Sequence, residues 1–164
     1  MVVRVVDISS WTSECSTSES KGLCSSEIAQ ALEETGMVVV TGHGIPPSTL
    51  KDLKTESLRW FQETEDKRAY TTGPYGCANG GYTAMGIEAV AASTEGNLVA
   101  LDNVDAIESF VFTGQPSKKF ATEDAPSMLV KADEYYVELV KLLRTLHAIL
   151  CNALGIQEDY FYQN

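Results

Sequence analysis

One stretch of the sequence sets the order of the central elements. Residues 35–47 read Thr-Gly-Met-Val-Val-Val-Thr-Gly-His-Gly-Ile-Pro-Pro. Gly36 stands where a left-handed residue commonly ends a helix, and Met37–Thr41 is typical of a strand that is apolar on both faces. Pro46-Pro47 suits the first turn of a new helix. The stretch therefore predicts helix, strand, tight turn and helix in succession, with the strand central in a sheet.

The residues before this stretch predict one more strand and a loop. Val2–Ile8 is apolar and rich in β-branched residues, as strands are. Residues 9–26 hold eight serines and two threonines, a composition typical of a solvated serine-rich loop; a phosphorylated tail is a less favoured alternative. Ser25 or Ser26 is predicted to cap a helix that runs to about Thr35.

The residues after the stretch predict two helices and a third strand. The first helix runs from Pro47 to about Thr64 and is followed by a charged, exposed segment over Glu63–Arg68. A glycine-rich segment over residues 71–86 is not expected to form regular structure. Residues 106–113 predict a strand, and an apolar stripe from about 125 to 154 predicts a long helix that Gly155 ends. No linker or repeat divides the chain, so residues 1–164 are interpreted as one domain.

Composition and charge exclude several classes of function. The 164 residues carry 12 Lys and Arg against 23 Asp and Glu, a formal charge of −11. Such an acidic chain repels phosphate backbones and anionic lipid, so no nucleic-acid or membrane partner is expected. No apolar run approaches the ~20 residues that cross a bilayer, and the start lacks the apolar core of a signal peptide. Four cysteines without metal-site spacing predict reduced thiols in a cytoplasmic protein.

The residue types that carry chemistry form no recognisable catalytic pattern. The only two histidines, His43 and His147, are interpreted as residues that tie down a turn and pack on a helix. The turn Gly42-His43-Gly44 resembles a dinucleotide-binding glycine turn, but Pro47 replaces the third glycine, so a nucleotide site is a remote alternative. No nucleophile elbow or cysteine–histidine pair is present in the sequence. No catalytic residue is therefore predicted.

Five segments carry motifs that occur together, in this order, in a known enzyme family. These segments are Val5–Ser9, Thr35–Pro46, Phe61–Tyr70, Gly81–Gly86 with Asp105–Phe110, and Leu154–Phe161. They resemble the N-terminal region of the non-haem iron(II), 2-oxoglutarate-dependent dioxygenases related to isopenicillin N synthase. The departures from the family pattern are few: Met37-Val38 stands for an aromatic pair, Gly42 for an asparagine, and Thr64 for a proline.

The resemblance implies an α+β fold that forms the N-terminal part of a double-stranded β-helix (jelly-roll) oxygenase. In such an enzyme iron(II) is held by a His-x-Asp…His triad, and 2-oxoglutarate pairs with the arginine of an Arg-x-Ser motif. Neither His-x-Asp nor Arg-x-Ser occurs in this sequence. The chain is therefore expected to bind neither metal nor cofactor, and its expected partner is the C-terminal jelly-roll half. The apolar stripe of the long helix would pack on that half, and the strand over 107–112 would join its sheet.

Two functions follow as competing hypotheses. The first is the scaffold and substrate-entrance portion of an oxidoreductase that acts on a small organic molecule, inactive by itself. On the resemblance, residues 80–86 approach the substrate mouth, and the substrate-facing candidates are Asn79, Tyr82, Thr83 and Met85. Loop packing explains the same residues about equally well. The alternative function is a free-standing, non-catalytic interaction module built on the same half-fold.

Overall fold

Strands and helices alternate along the first part of the chain. The computed structural model describes residues 2–71, 80–87, 106–114, 120 and 126–162. Within them the mixture of helices with two small sheets confirms the predicted α+β fold. The elements in chain order are β1 (Arg4–Asp7), α1 (Ser9–Thr12), α2 (Ser18–Thr35), β2 (Val38–Thr41), α3 (Pro47–Glu63), β3 (Gly81–Thr83), β4 (Ser109–Val111) and α4 (Ser127–Leu154), with one-turn 3-10 helices at Arg68–Tyr70 and Tyr160–Tyr162.

The chain divides into two compact units. The first contains Met1–Pro47 and Val137–Asn164, and the second contains Ser48–Tyr136. The division has a physical basis in the cores, because each unit has its own cluster of buried side chains.

The first unit is built on a parallel pair of strands. β1 and β2 run parallel, with Val5 opposite Val39, and α2 connects them. A parallel pair needs such a crossover, since its strands start at the same end of the sheet. Gly36, at φ +69°, ends α2 in the left-handed conformation predicted for it. The core of this unit consists of Val6, Ile8, Cys24, Ile28 and Ile149.

The serine-rich loop predicted over residues 9–26 is wrong, because much of that segment is helical. α1 covers Ser9–Thr12, and α2 begins at Ser18 with the hydroxyl of Thr17 accepting a hydrogen bond from the Ser20 amide. Inside α2, Ser25 donates to the Lys21 carbonyl four residues earlier, and Ser25 is buried. The hydroxyl of this buried serine is thus satisfied inside the helix, and burial of Cys24 and Ser25 outweighs the preference of serine for loops.

The central position predicted for β2 is not observed among the described residues. There β2 has one neighbour, β1. Val38 and Val40 pack against the core of the first unit, whereas Val39 on the opposite face is exposed. The opposite face of this two-stranded sheet is therefore apolar and uncovered by the described residues.

The second unit combines an antiparallel pair of strands with an aromatic core. β3 pairs with β4, and Tyr82 lies opposite Phe110. The strand β3 lies inside the glycine-rich segment 71–86, where no regular structure was expected; residues 72–79 of that segment lie outside the described residues. The hydrophobic core of this unit contains the buried side chains of Trp60, Tyr82, Met128 and Leu129.

The long helix predicted over about 125–154 is confirmed by α4. The amide of Ile156 donates to the Cys151 carbonyl (3.0 Å) across Gly155, which has φ +64°, and this closes the helix as predicted. In the first unit Leu146 and Leu150 pack against the core, whereas Leu139 and Leu143 are exposed. Among the described residues, no helix has both the length and the apolarity that crossing a membrane demands.

Candidate functional site

Three polar side chains from separate segments of the second unit meet at one point. The ammonium of Lys67 lies 3.0 and 3.2 Å from the two carboxylate oxygens of Glu108. The hydroxyl of Tyr82 donates to Glu108 Oε2 over 2.7 Å. We call these residues the Lys67–Glu108–Tyr82 network. Its members are up to 41 positions apart in sequence, so the fold alone brings them together.

Local structure fixes each member of the network. Lys67 follows α3, and its ammonium also donates to the Phe61 carbonyl over 2.7 Å. Tyr82 lies in β3, and Glu108 immediately precedes β4. The pairing of Tyr82 with Phe110 therefore sets the distance between the phenol and the carboxylate.

Aromatic rings surround the network. Trp60 lies at their centre, and its ring meets four neighbours edge to face at centroid distances of 5.0–5.7 Å: Phe61, Tyr70, Tyr82 and Phe110. The Lys67 ammonium lies 5.4–5.7 Å from the ring centroids of Trp60, Phe61 and Tyr82. Aromatic faces attract a cation, so the rings help to hold a lysine whose side chain is only 12% exposed.

The network shifts the protonation equilibria of its two acidic groups in opposite directions. Burial, together with the hydrogen bond and charge of Glu108, raises the pKa of Tyr82 to about 12. The hydrogen bond from Tyr82, aided by Lys67, holds the pKa of Glu108 below its usual range against the opposing effect of burial. Near neutral pH Tyr82 is therefore a neutral phenol and Glu108 a carboxylate.

This arrangement anchors chain segments but is poorly suited to move protons. All three ammonium hydrogens of Lys67 have acceptors in Phe61 and Glu108. A carboxylate with a lowered pKa is a weak base, and a phenol with a raised pKa is a weak acid. The network therefore holds β3, β4 and the end of α3 together.

The residues predicted to face a substrate occupy different environments. Tyr82 is buried in the network, and Thr83 is buried beside it in β3. Met85, two residues later, is 62% exposed. Asn79 lies outside the described residues. The structure thus brings Tyr82 and Thr83 to one strand, with Met85 on the turn that follows it.

A cleft of about 420 Å³ lies beside Trp60 in the same unit. Its walls come from the second half of α3 and the first turn of α4, including Glu56, Arg59 and Met128. Arg59 is paired with Glu56 and also contacts the Ser127 hydroxyl at 3.3 Å. Neither Tyr82, Thr83 nor Met85 lines this cleft.

The two histidines serve structural roles in the first unit, as predicted. The amide of Ile45 donates to His43 Nδ1 over 3.1 Å, which closes the turn after β2. His147 Nδ1 lies 2.8 Å from the Tyr162 hydroxyl, and the ring packs against Phe161. Within the described part of the chain, no three His, Cys, Asp or Glu side chains cluster as a metal site requires. The His, Asp and Glu side chains of the described residues therefore do not fit an iron centre of two histidines and a carboxylate.

The anchor residues Lys67 and Trp60 were missed by reasoning from the sequence. The segment 63–68 was interpreted as charged and exposed, which is wrong for Lys67 because its ammonium turns inward onto Phe61 and Glu108. One signal was present: Lys67, Tyr82 and Glu108 each lie in a segment that resembles the dioxygenase family. The spacing within each segment does not reveal that their side chains meet.

Comparison with protein families identifies the chain. The family model described as "non-haem dioxygenase in morphine synthesis N-terminal" matches residues 3–131, which is more than half of the chain. A comparison with curated proteins gave no match. The matched range contains β1–β4 and all three members of the Lys67–Glu108–Tyr82 network. The chain therefore belongs to the family of non-haem dioxygenase N-terminal domains.

Proposed function

We propose that this chain is the scaffold and part of the substrate entrance of a 2-oxoglutarate- and iron(II)-dependent oxidoreductase that acts on a small organic molecule. The family assignment supports the scaffold role. The observation that carries the proposal is the Lys67–Glu108–Tyr82 network, which holds the strand of Tyr82 and Thr83 in a fixed place. A substrate entrance needs such a wall, because a flexible wall would not discriminate between ligands.

In this proposal the chain supplies no ligand to iron or to 2-oxoglutarate. Both histidines are engaged in the first unit, and no Arg-x-Ser motif occurs in the sequence. Iron(II) would supply oxygen activation when bound elsewhere in the enzyme. The chain by itself is accordingly inactive, and its role is to position and enclose the substrate.

The proposed partner is a C-terminal jelly-roll half. Support comes from the apolar side chains that the first unit leaves uncovered, including Leu139 and Leu143 on α4 and Val39 on β2. Burying a leucine is worth roughly 1.5–3 kcal/mol, so a partner with an apolar surface would gain stability here. We also propose a cytoplasmic location, which suits the buried free thiols of Cys24 and Cys151.

The substrate-entrance role is tested with two exposed methionines. The chain would be joined to a family jelly-roll half that carries the iron triad, and succinate release would be measured over a panel of small organic compounds. Met85→Ala is expected to change KM for the panel members that are turned over, while KM for 2-oxoglutarate stays constant. Met37→Ala is the matched control, since Met37 is similarly exposed but lies in the first unit. Equal effects of the two substitutions would contradict the entrance role.

The scaffold role is tested by assembly. The jelly-roll half, produced as a separate polypeptide, is expected to bind this chain and to become soluble and active only in its presence. Failure to associate, together with a well-folded chain, would favour the free-standing interaction module. The transcript beyond the codon for Asn164 gives a second test, since a reading frame that encodes His-x-Asp and Arg-x-Ser agrees with the proposal and a stop codon opposes it.

A further inference from the structure

We propose that Lys67 is a positioning residue. Its positively charged ammonium holds the Glu108 carboxylate, and this carboxylate in turn fixes the orientation of the Tyr82 side chain and the position of β3. The inference rests on the proposed function for its significance, because β3 carries Tyr82 and Thr83 of the proposed substrate entrance. Lys67 itself is not assigned any contact with substrate.

The geometry distinguishes Lys67 from the other lysines that form ion pairs. Lys131 and Lys141 each pair with a glutamate three positions away on the exposed surface of α4. Lys67 instead reaches across 41 positions, is largely buried, and contacts both oxygens of one carboxylate. The ammonium, itself held by the Phe61 carbonyl, keeps the Glu108 carboxylate beside it, and Oε2 of that carboxylate accepts from the Tyr82 hydroxyl.

The ammonium is needed because the carboxylate of Glu108 is partly buried. Its side chain is 27% exposed and accepts the hydrogen bond of the buried Tyr82 phenol. A partly buried carboxylate without a cation would be stabilised either by taking up a proton or by rotating toward water. Either change alters the acceptor that Tyr82 uses. Among the described residues, the titratable groups shown in contact with Glu108 are Lys67 after α3 and Tyr82 on β3.

Hydrogen exchange of the chain as a function of pH tests the inference. After correction for intrinsic rates, the β3–β4 amides are expected to lose protection as acid protonates Glu108. In Lys67→Met, which keeps an apolar stem among the rings, these amides are expected to exchange about tenfold faster near pH 7. The midpoint of the acid step is expected to move to higher pH, because no cation then favours the carboxylate. The β1–β2 amides of the first unit are the internal reference.

Three further variants separate charge from packing. Lys67→Arg keeps the cation and is expected to restore the midpoint, whereas Lys131→Met removes an exposed cation of the same unit and is expected to change nothing. Glu108→Gln removes the titrating group and is expected to abolish the acid step. If Lys67→Met unfolds the second unit, Lys67→Gln takes its place, since it also removes the charge and is expected to move the midpoint to higher pH.

Three results would overturn the inference: an unmoved midpoint in a folded Lys67→Met variant, an acid step that persists in Glu108→Gln, or a midpoint in Lys67→Arg that matches Lys67→Met. None of these measurements involves iron, 2-oxoglutarate or substrate. Their failure would remove the role of Lys67 and the support that the network gives to the entrance proposal, which the methionine test above measures independently. Failure of the methionine test alone would leave the role of Lys67 intact.

Discussion

The hydroxyl of Tyr82 donates to Glu108 Oε2 over 2.7 Å and joins two segments that lie 26 positions apart. Tyr82 also pairs through its backbone with Phe110, two residues beyond Glu108. The same short antiparallel pair is thus held by its backbone hydrogen bonds and by a side-chain bond to a charged acceptor. Three residues per strand are few for a stable pair, so the side-chain bond is expected to carry much of its stability.

Tyr82→Phe is expected to lower the free energy of unfolding of the second unit by about 1.5–3 kcal/mol. The substitution keeps the ring among its aromatic neighbours but removes a hydrogen bond to a charged group. Such a bond contributes about 1.5–3 kcal/mol to the free energy of unfolding. Urea denaturation in a Trp11→Phe background follows Trp60, which lies in the aromatic core of that unit. Tyr136→Phe, a change at an exposed position of α4, serves as the control and is expected to stay within about 0.5 kcal/mol. Equal effects of the two changes would contradict the role assigned to the hydroxyl.

The contribution of the network to stability is expected to fall at both ends of the pH range. The folded-state pKa of Glu108 is lowered, so its contribution is present above its unfolded-state pKa and is lost as pH falls through the folded value. The pKa of Tyr82 is raised from 10.0 to about 12, so its contribution is complete below 10 and is lost as pH rises toward 12. The stability difference between the wild-type chain and Tyr82→Phe, measured from pH 3 to 12, should therefore be a plateau with two falling edges. A difference independent of pH would show that the hydroxyl and carboxylate do not interact.

Helix ends and the two strands of the first unit were predictable from the sequence because they depend on local residues. Gly36 and Gly155 end helices where predicted, since few residues other than glycine adopt a left-handed backbone at low cost. The apolar runs around Val6 and Val40 form the strands as expected. In each case the neighbouring sequence contains the cause.

The polar site could not be predicted in the same way. Lys67 lies in a charged segment, and nothing within that segment indicates that its ammonium contacts Glu108. The loop predicted where α2 begins is wrong for a related reason. Burial of Cys24 and Ser25 within the first unit outweighs the preference of serine for loops. Tertiary contacts decide both outcomes, and local propensity is too weak to oppose them.

Gly42→Ala is expected to destabilise the first unit. Gly42 has φ +67°, and a Cβ there would collide with Asp7 Oδ1 and approach the Ser9 amide to 2.9 Å. Asp7 cannot easily move, because that oxygen accepts a hydrogen bond from the Ser9 amide. The left-handed backbone alone costs an alanine about 1–3 kcal/mol, and the collision adds to this. Thermal unfolding followed by the fluorescence of Trp11, in a Trp60→Phe background, measures the effect.

Gly22→Ala is the control for that experiment. Gly22 lies inside α2, where an added Cβ meets nothing within 4 Å. Alanine has a higher helix propensity than glycine by about 1 kcal/mol, so this change is expected to stabilise the same unit. A shift of the unfolding temperature in the same direction in both alanine variants would contradict the steric collision expected at Gly42.

The chain by itself is expected to bind neither iron(II) nor 2-oxoglutarate. His43 and His147 each use Nδ1 in a contact within the first unit, and the sequence contains no Arg-x-Ser motif. Anaerobic titration with iron(II) or cobalt(II), and release of labelled carbon dioxide from 2-oxoglutarate, are the measurements. A stoichiometric micromolar site that disappears in the His43→Ala, His147→Ala double variant, or decarboxylation above a boiled control, would refute this prediction.

The isolated chain is expected to self-associate through the apolar surface of its first unit. Leu143 is 50% exposed on α4, and Leu139 lies one turn earlier on the same side. The net charge of −11 opposes association without covering these side chains. Leu139→Lys with Leu143→Lys is expected to shift sedimentation toward monomer, while Asn152→Lys adds the same kind of charge to α4 and leaves the leucines in place. If the unsubstituted chain sediments as a monomer and melts cooperatively above about 60 °C, near the top of the common range for mesophilic domains, the exposed leucines need no partner. In that case the scaffold proposal gives way to the free-standing module.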